Sequence, residues 1–296
     1  MTTKIPIRDR LQNGDVLLAD GAMGTFLMES GLPAGQPPET WNIEHPDRVA
    51  AIHQMYIDAG SRIILTNSFG GTSHKLNSAQ MGHRVSELNA AAASLATQVA
   101  GDNVYVAGDL GPTGELMQPW GTLSSSEAID AFAAQASALV EGGVDLLWVE
   151  TMMDLEEAVA AVTGAQQVTD LPIFCTLTFG AQGYTMMGVS AKEAAERLAS
   201  LNVAAIGANC GEGVDVIIPA LEQMRESAPA IPLIAKPNAG LPQLVEGETV
   251  YDLGPELFAE RLAELIVLGI RVVGGCCGST PDHIRALAQH LNLPNS

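Results

Sequence analysis

Three of the chain's four cysteines fall in two glycine-framed turns, Gly207-Ala208-Asn209-Cys210-Gly211 and Gly274-Gly275-Cys276-Cys277-Gly278. Neighbouring cysteines rarely bridge one another, because a disulfide needs Cα atoms about 4.4–6.8 Å apart with converging Cβ vectors. A metal imposes no such limit. Three thiolates at about 2.3 Å fill three corners of a zinc tetrahedron and leave the fourth for water, a weak ligand or substrate, the layout of a working zinc. An isolated Cys-Cys pair is otherwise read as two small residues packing a strand end. Cys210, at the end of a different predicted strand, turns the reading of Cys210, Cys276 and Cys277 toward a metal. Cys175, between Phe174 and Thr176 in an apolar run, reads as core.

These turns need elements to position them. Short β-branched apolar runs recur at 15–21, 62–69, 104–111, 145–151, 172–179, 204–210, 232–240 and 271–278. Helical spacing fills 46–59, 84–99, 124–141, 154–168, 191–199, 214–226, 255–268 and 281–290. Ser124 with Glu127 predicts a capped helix start, Pro281 a first helical residue, and Gly60, Gly143 and Gly269 helix ends. Near-continuous apolar runs fit parallel strands buried on both faces. Eight βα units predict a (β/α)8 TIM barrel, one domain over 1–296, with its site at the C-terminal strand ends; a doubly wound sheet is the alternative. Those ends carry Asp20-Gly21, Asn67, Asp109, Glu150, Cys210, Asn238 and Cys276-Cys277. Two longer connections, 28–47 and 112–126 with Trp120, are lids or surface loops.

Composition excludes other classes. The formal charge of −20, 34 acidic against 14 basic residues, repels a phosphate backbone, so nucleic acid is not an expected partner. The first ten residues lack an apolar signal core, and no run approaches the roughly 18 apolar residues of a membrane span. Four cysteines without a secreted framework point to the reducing cytoplasm. The six histidines lack the i, i+4 pairing of a metal helix and read as ordinary.

The segments Asp20-Gly21-Ala22-Met23-Gly24-Thr25, Thr66-Asn67-Ser68-Phe69, Val149-Glu150-Thr151, Gly207-Ala208-Asn209-Cys210, Lys236-Pro237-Asn238-Ala239-Gly240 and Gly274-Gly275-Cys276-Cys277-Gly278 resemble, in order, the homocysteine S-methyltransferase family. The resemblance covers nearly the whole chain. It implies a Zn²⁺-bound L-homocysteine thiolate attacking an activated methyl group to give L-methionine, with Cys210, Cys276 and Cys277 as ligands. Coordination deprotonates a thiol while leaving it a nucleophilic lone pair. The resemblance further implies that Asp20, Gly21 and Thr25 lie in the turn that takes the substrate carboxylate, and that Glu150 takes its ammonium. Asn238 matches an exchangeable fourth zinc ligand, or it stabilises its own turn. Lys236 reads as a paired lysine with a buried stem.

The donor is read by departures from the family's branches. Betaine users carry aromatic residues at positions where this chain has Pro37 and Gly70, although Trp41 and Trp120 could form a replacement cage. The Asn238-Ala239-Gly240-Leu241-Pro242 turn looks like methionine synthase. The chain stops at Ser296 without a corrinoid module, so the expectation is a stand-alone homocysteine subunit fed by a separate methyl-corrinoid protein. Betaine or S-methylmethionine is the alternative donor, and a zinc-dependent thiol-binding scaffold the non-enzymatic alternative.

Overall fold

A computed structural model describes residues 4–245 and 248–293. Its frame is eight parallel strands: β1 (Leu17–Leu18), β2 (Ile63–Leu65), β3 (Tyr105–Leu110), β4 (Leu146–Met152), β5 (Ile173–Leu177), β6 (Ala205–Cys210), β7 (Leu233–Pro237) and, after a hairpin of β8 (Pro242–Val245) and β9 (Glu248–Tyr251), β10 (Ile270–Val273). Their order is β1-β10-β7-β6-β5-β4-β3-β2, and a parallel bridge from Ala19 to Ile63 joins the two ends into a barrel. Every predicted strand and every predicted long helix is found, the 255–268 helix ending in a 3₁₀ turn from Leu265. Ser124 and Glu127 form the expected reciprocal cap. The sequence reading lacked the short helices Ile7–Gln12, Met23–Glu29 and Ser73–Asn77 and the β8–β9 hairpin. No helix among the described residues is long and apolar enough to cross a membrane.

Strand alternation explains how the barrel makes a floor for chemistry. Side chains at i and i+2 share a face. One face of each strand packs against the helices, with Val106, Leu147, Cys175, Ile206 and Ala235 in that layer. The other fills the barrel: Leu17, Ile63, Tyr105, Ala107, Leu146, Trp148, Phe174, Ala205, Ile234 and Val272 form a separate interior cluster, closed from below by Ile7 and Leu11 of the first helix. Two residues beyond Ala107, Trp148 and Ile234, the same alternation puts Asp109, Glu150 and Lys236 into the barrel's top layer. All three are buried.

Candidate active site

The sulfurs of Cys210, Cys276 and Cys277 lie within 4.8 Å of one another, and all four cysteines are unbridged. Cys210 Sγ is 3.2 Å from Cys276 Sγ. A tetrahedron with zinc–sulfur bonds of about 2.3 Å sets its sulfurs roughly 3.8 Å apart, so the three thiols suit such an ion with small adjustments. The backbone aims them. Cys210 ends β6 with φ 60°, a left-handed conformation uncommon outside glycine. It turns the chain out of the strand alternation so that the sulfur reaches across to Cys276. The paired cysteines are pinned to the end of β7: Cys276 N–H donates to Pro237 O at 2.8 Å, and Ala239 N–H donates to Cys277 O at 3.0 Å. Gly278, at φ +76°, follows them because a Cβ there would lie 2.1 Å from the Tyr251 ring. Hydrogen bonding with Cys210 and Cys276 pulls the Cys277 thiol down to about 3, whereas hydrogen bonding with Cys276 and Cys277 pushes Cys210 far above its usual value. A divalent cation bound by the three sulfurs would displace their protons.

Beside the sulfurs lies a second cluster. Lys236 Nζ is 3.5 Å from Asp20 Oδ1 and 3.7 Å from Glu150 Oε2, and it sits 5.8 Å from the centre of the Trp148 ring. Leu65 N–H donates to Asp20 Oδ2 at 2.7 Å. Burial pushes Asp20 up to about 6 and Glu150 up to about 7, against the pull of Lys236 on each. Asp109 is raised well above the usual carboxylate range by burial and by Glu150. Burial alone would lower Lys236, but Glu150 and Asp20 outweigh it and hold the lysine charged. Asn209 braces the edge of the site: its Nδ2 donates to Thr151 Oγ1 at 2.6 Å, and its Oδ1 accepts Thr151 N–H at 2.9 Å. That bracing holds Thr151 at φ 61°, directly after Glu150.

Both clusters open into one cavity of about 520 Å³. Its lining includes Asp20, Gly21, Thr25, Asp109, Glu150, Lys236, Tyr251 and all three clustered cysteines. Gly21 must be glycine for the first turn to pack: a Cβ would come within 2.6 Å of Ser279 Oγ and 2.8 Å of the Tyr56 ring. The first long connection overhangs the mouth, with Gly35 to Glu39 on the cavity wall. Glu39 Oε1 accepts Gly70 N–H at 2.6 Å, and Asn67 Nδ2 donates to Pro38 O at 2.8 Å, tying that loop to the end of β2.

The predicted residues are thus gathered at one mouth, with one difference in detail. Asn238 packs beside Cys210, its Nδ2 donating to Gly211 O at 2.5 Å, yet it is not on the cavity wall, and its buried Oδ1 meets no donor. The cage suggested for Trp41 and Trp120 is not formed. Trp41 is buried against His45 and Arg48, Trp120 is 76% exposed, and neither lines the cavity. Lys236 is paired, as expected. Tyr251 and Asn209 were missed. Tyr251 arrives on the β8–β9 hairpin, which no motif marks, whereas Asn209 could have been found from strand alternation.

A sequence model described as homocysteine S-methyltransferase matches residues 17–291. The methionine synthases of Mycobacterium leprae (strain TN) and Mycobacterium tuberculosis (strain ATCC 25618 / H37Rv) are each 33% identical to it over 291 residues, 92% of this chain and 24% of theirs. The chain therefore spans about a quarter of the length of those relatives. Among solved structures, the metallated form of the homocysteine methyltransferase MmuM from Escherichia coli superposes with a TM-score of 0.81 at 24% identity, covering 96% of this chain and 99% of that one. Its oxidized form gives 0.82. At that identity the likeness establishes the barrel fold.

Proposed function

The chain belongs to the homocysteine S-methyltransferase family, and from that premise we propose that it transfers a methyl group to the thiol of L-homocysteine, forming L-methionine. The observation that carries this reading is one cavity in which three converging thiols adjoin a buried group of acids. Zn²⁺ held by Cys210, Cys276 and Cys277 would keep the substrate sulfur as a thiolate at neutral pH. The protein's own groups do the rest. Backbone N–H groups of the turn from Asp20 to Thr25 take the substrate carboxylate, and Glu150 takes its ammonium. Lys236 neutralises Asp20 and Glu150, which otherwise would share a buried site as like charges. The wall from Gly35 to Glu39 would shield the sulfur from water, and Asn238, whose buried amide oxygen meets no donor, would supply an exchangeable fourth ligand. Such a reaction belongs in the cytoplasm, where thiols stay reduced.

For the donor, we favour a methyl-corrinoid carried on a protein. Large apolar side chains stand exposed on the connections that follow the C-terminal ends of β3, β5 and β7: Leu116, Trp120, Tyr184, Met186, Leu241 and Leu244, with Trp120, Met186 and Leu244 at 76%, 82% and 78% exposure. A small soluble donor needs only the cavity, whereas an exposed apolar surface suits a docking protein. The absence of Trp41 and Trp120 from the cavity wall weighs against a cage for betaine. Zinc-loaded protein is incubated with homocysteine and, in turn, methylcobalamin, betaine and S-methylmethionine. Methionine from methylcobalamin is expected; methionine from betaine alone contradicts the donor assignment, and none from any donor contradicts the reaction.

A further inference from the structure

Asp109 is 5% exposed, stands on the interior face at the end of β3, and lines the cavity. Its main chain is fully engaged. Asp109 N–H donates to Thr66 Oγ1 at 3.0 Å, and its carbonyl accepts Ser68 Oγ at 2.8 Å and Gln135 Nε2 at 3.2 Å. The side chain is left wanting: Oδ1 accepts no hydrogen bond, and among the described residues no basic nitrogen comes within 4.0 Å. Lys236 reaches Asp20 and Glu150 but not Asp109. A buried carboxyl oxygen without a donor is destabilising. Held rigidly at a cavity wall, it is placed for a donor that comes with a ligand.

Charge and hydrogen-bond count identify that donor. Three carboxyl groups line the cavity with one lysine, which pairs with Asp20 and Glu150 and leaves Asp109 with no basic nitrogen in reach among the described residues. Glu150 Oε2 is a second buried oxygen without a hydrogen bond. A primary ammonium carries the missing charge and has N–H groups for two oxygens at once. A quaternary ammonium or a sulfonium centre has no N–H, and a carboxylate would be repelled. We propose that Asp109 is a second acceptor for the substrate's α-ammonium, acting with Glu150, and that it makes the cavity selective for α-amino thiols over thiols lacking the amine. The inference rests on the amino-acid reading of the cavity given above.

The test is calorimetric titration of zinc-loaded protein with L-methionine and with 4-(methylthio)butanoate, which lacks only the amine. Wild type should prefer L-methionine by roughly 100-fold or more, and Asp109→Asn should weaken L-methionine about 10- to 100-fold while leaving the desamino acid unchanged. Zinc content should stay the same and the melting temperature should rise, because an unpaired buried acid has been removed. A purely structural aspartate would lower the melting temperature and affect both ligands alike. Asp109→Ser provides a second variant should the first fold poorly. Unchanged preference in a folded variant overturns the role of Asp109 alone. Failure of wild type to prefer L-methionine overturns the amino-acid reading together with it.

Discussion

At the N-terminal end of the barrel, Arg8, Arg225 and Arg271 line a hollow of about 420 Å³, and their hydrogen bonds go to backbone carbonyls. Arg225 alone bonds Leu268 O at 2.6 Å, Pro229 O at 2.6 Å and Gly269 O at 2.9 Å. Its guanidinium thereby satisfies carbonyls around the turn that leads into β10. At the C-terminal end, by contrast, Asp20, Asp109, Glu150 and Asn238 each keep a buried oxygen that no hydrogen bond reaches. The same eight strands carry both ends. One end uses polar groups to finish the fold, and the other leaves them unfinished and lets Lys236 hold the charges together. Four unsatisfied oxygens at the C-terminal ends of the strands fit a site whose partners come from outside.

This contrast can be broken at either end. The largest effect should come from Cys276→Ala: zinc content falls from about one equivalent toward none and methyl transfer drops roughly 10³-fold or more, while the circular dichroism of the barrel is unchanged. Atomic absorption on the purified variant checks it, and retention of a full equivalent of zinc refutes the ligand assignment. Next is Lys236→Met, which strands two buried carboxylates and should cost about 3–5 kcal/mol of stability in denaturant unfolding. A loss under 1 kcal/mol would mean that the carboxyls are not held charged.

The third test is pH. Asp20 and Glu150 have folded values of about 6 and about 7, above their ordinary values of 3.8 and 4.5. The folded state thus binds more protons than the unfolded chain across that window, and the stability these groups give below pH 4 is lost as pH rises toward 7. The ligand-free melting temperature should fall by on the order of 5 °C between pH 5 and pH 8, and saturating L-methionine should recover part of that fall. Scanning calorimetry at the two pH values reads both. The smallest effect belongs to the other end: Arg225→Ala should cost about 1–2 kcal/mol of stability and leave zinc content and homocysteine KM unchanged. A changed KM would break the separation of the two ends.

Much of this molecule is legible in its sequence because its strands and helices are locally encoded. Buried parallel strands read as apolar runs, and Ser124, Glu127, Pro281 and Gly269 mark helix boundaries by capping chemistry. The cysteine turns are legible for the same reason, since strand ends in a barrel point to one mouth. What escaped depends on meetings across the fold. Tyr251 reaches the sulfurs on a hairpin whose position follows from packing, and the pairing of Lys236 with Asp20 and Glu150 joins three strands. Trp41 shows the limit from the other side, because an aromatic in the right loop packs into the core instead of the cavity. Asp109 was visible as a strand-end acid, but its lack of a partner is a property of three dimensions alone.

If three cysteine sulfurs hold zinc with one position open to the substrate thiol, the coordination of the ion changes when substrate binds. X-ray absorption at the zinc edge, recorded on purified protein with and without L-homocysteine, tests this directly. Three sulfur ligands at about 2.3 Å and one lighter ligand are expected in the free protein, becoming four sulfurs when homocysteine is added. A sulfur count that homocysteine leaves unchanged would contradict the open position.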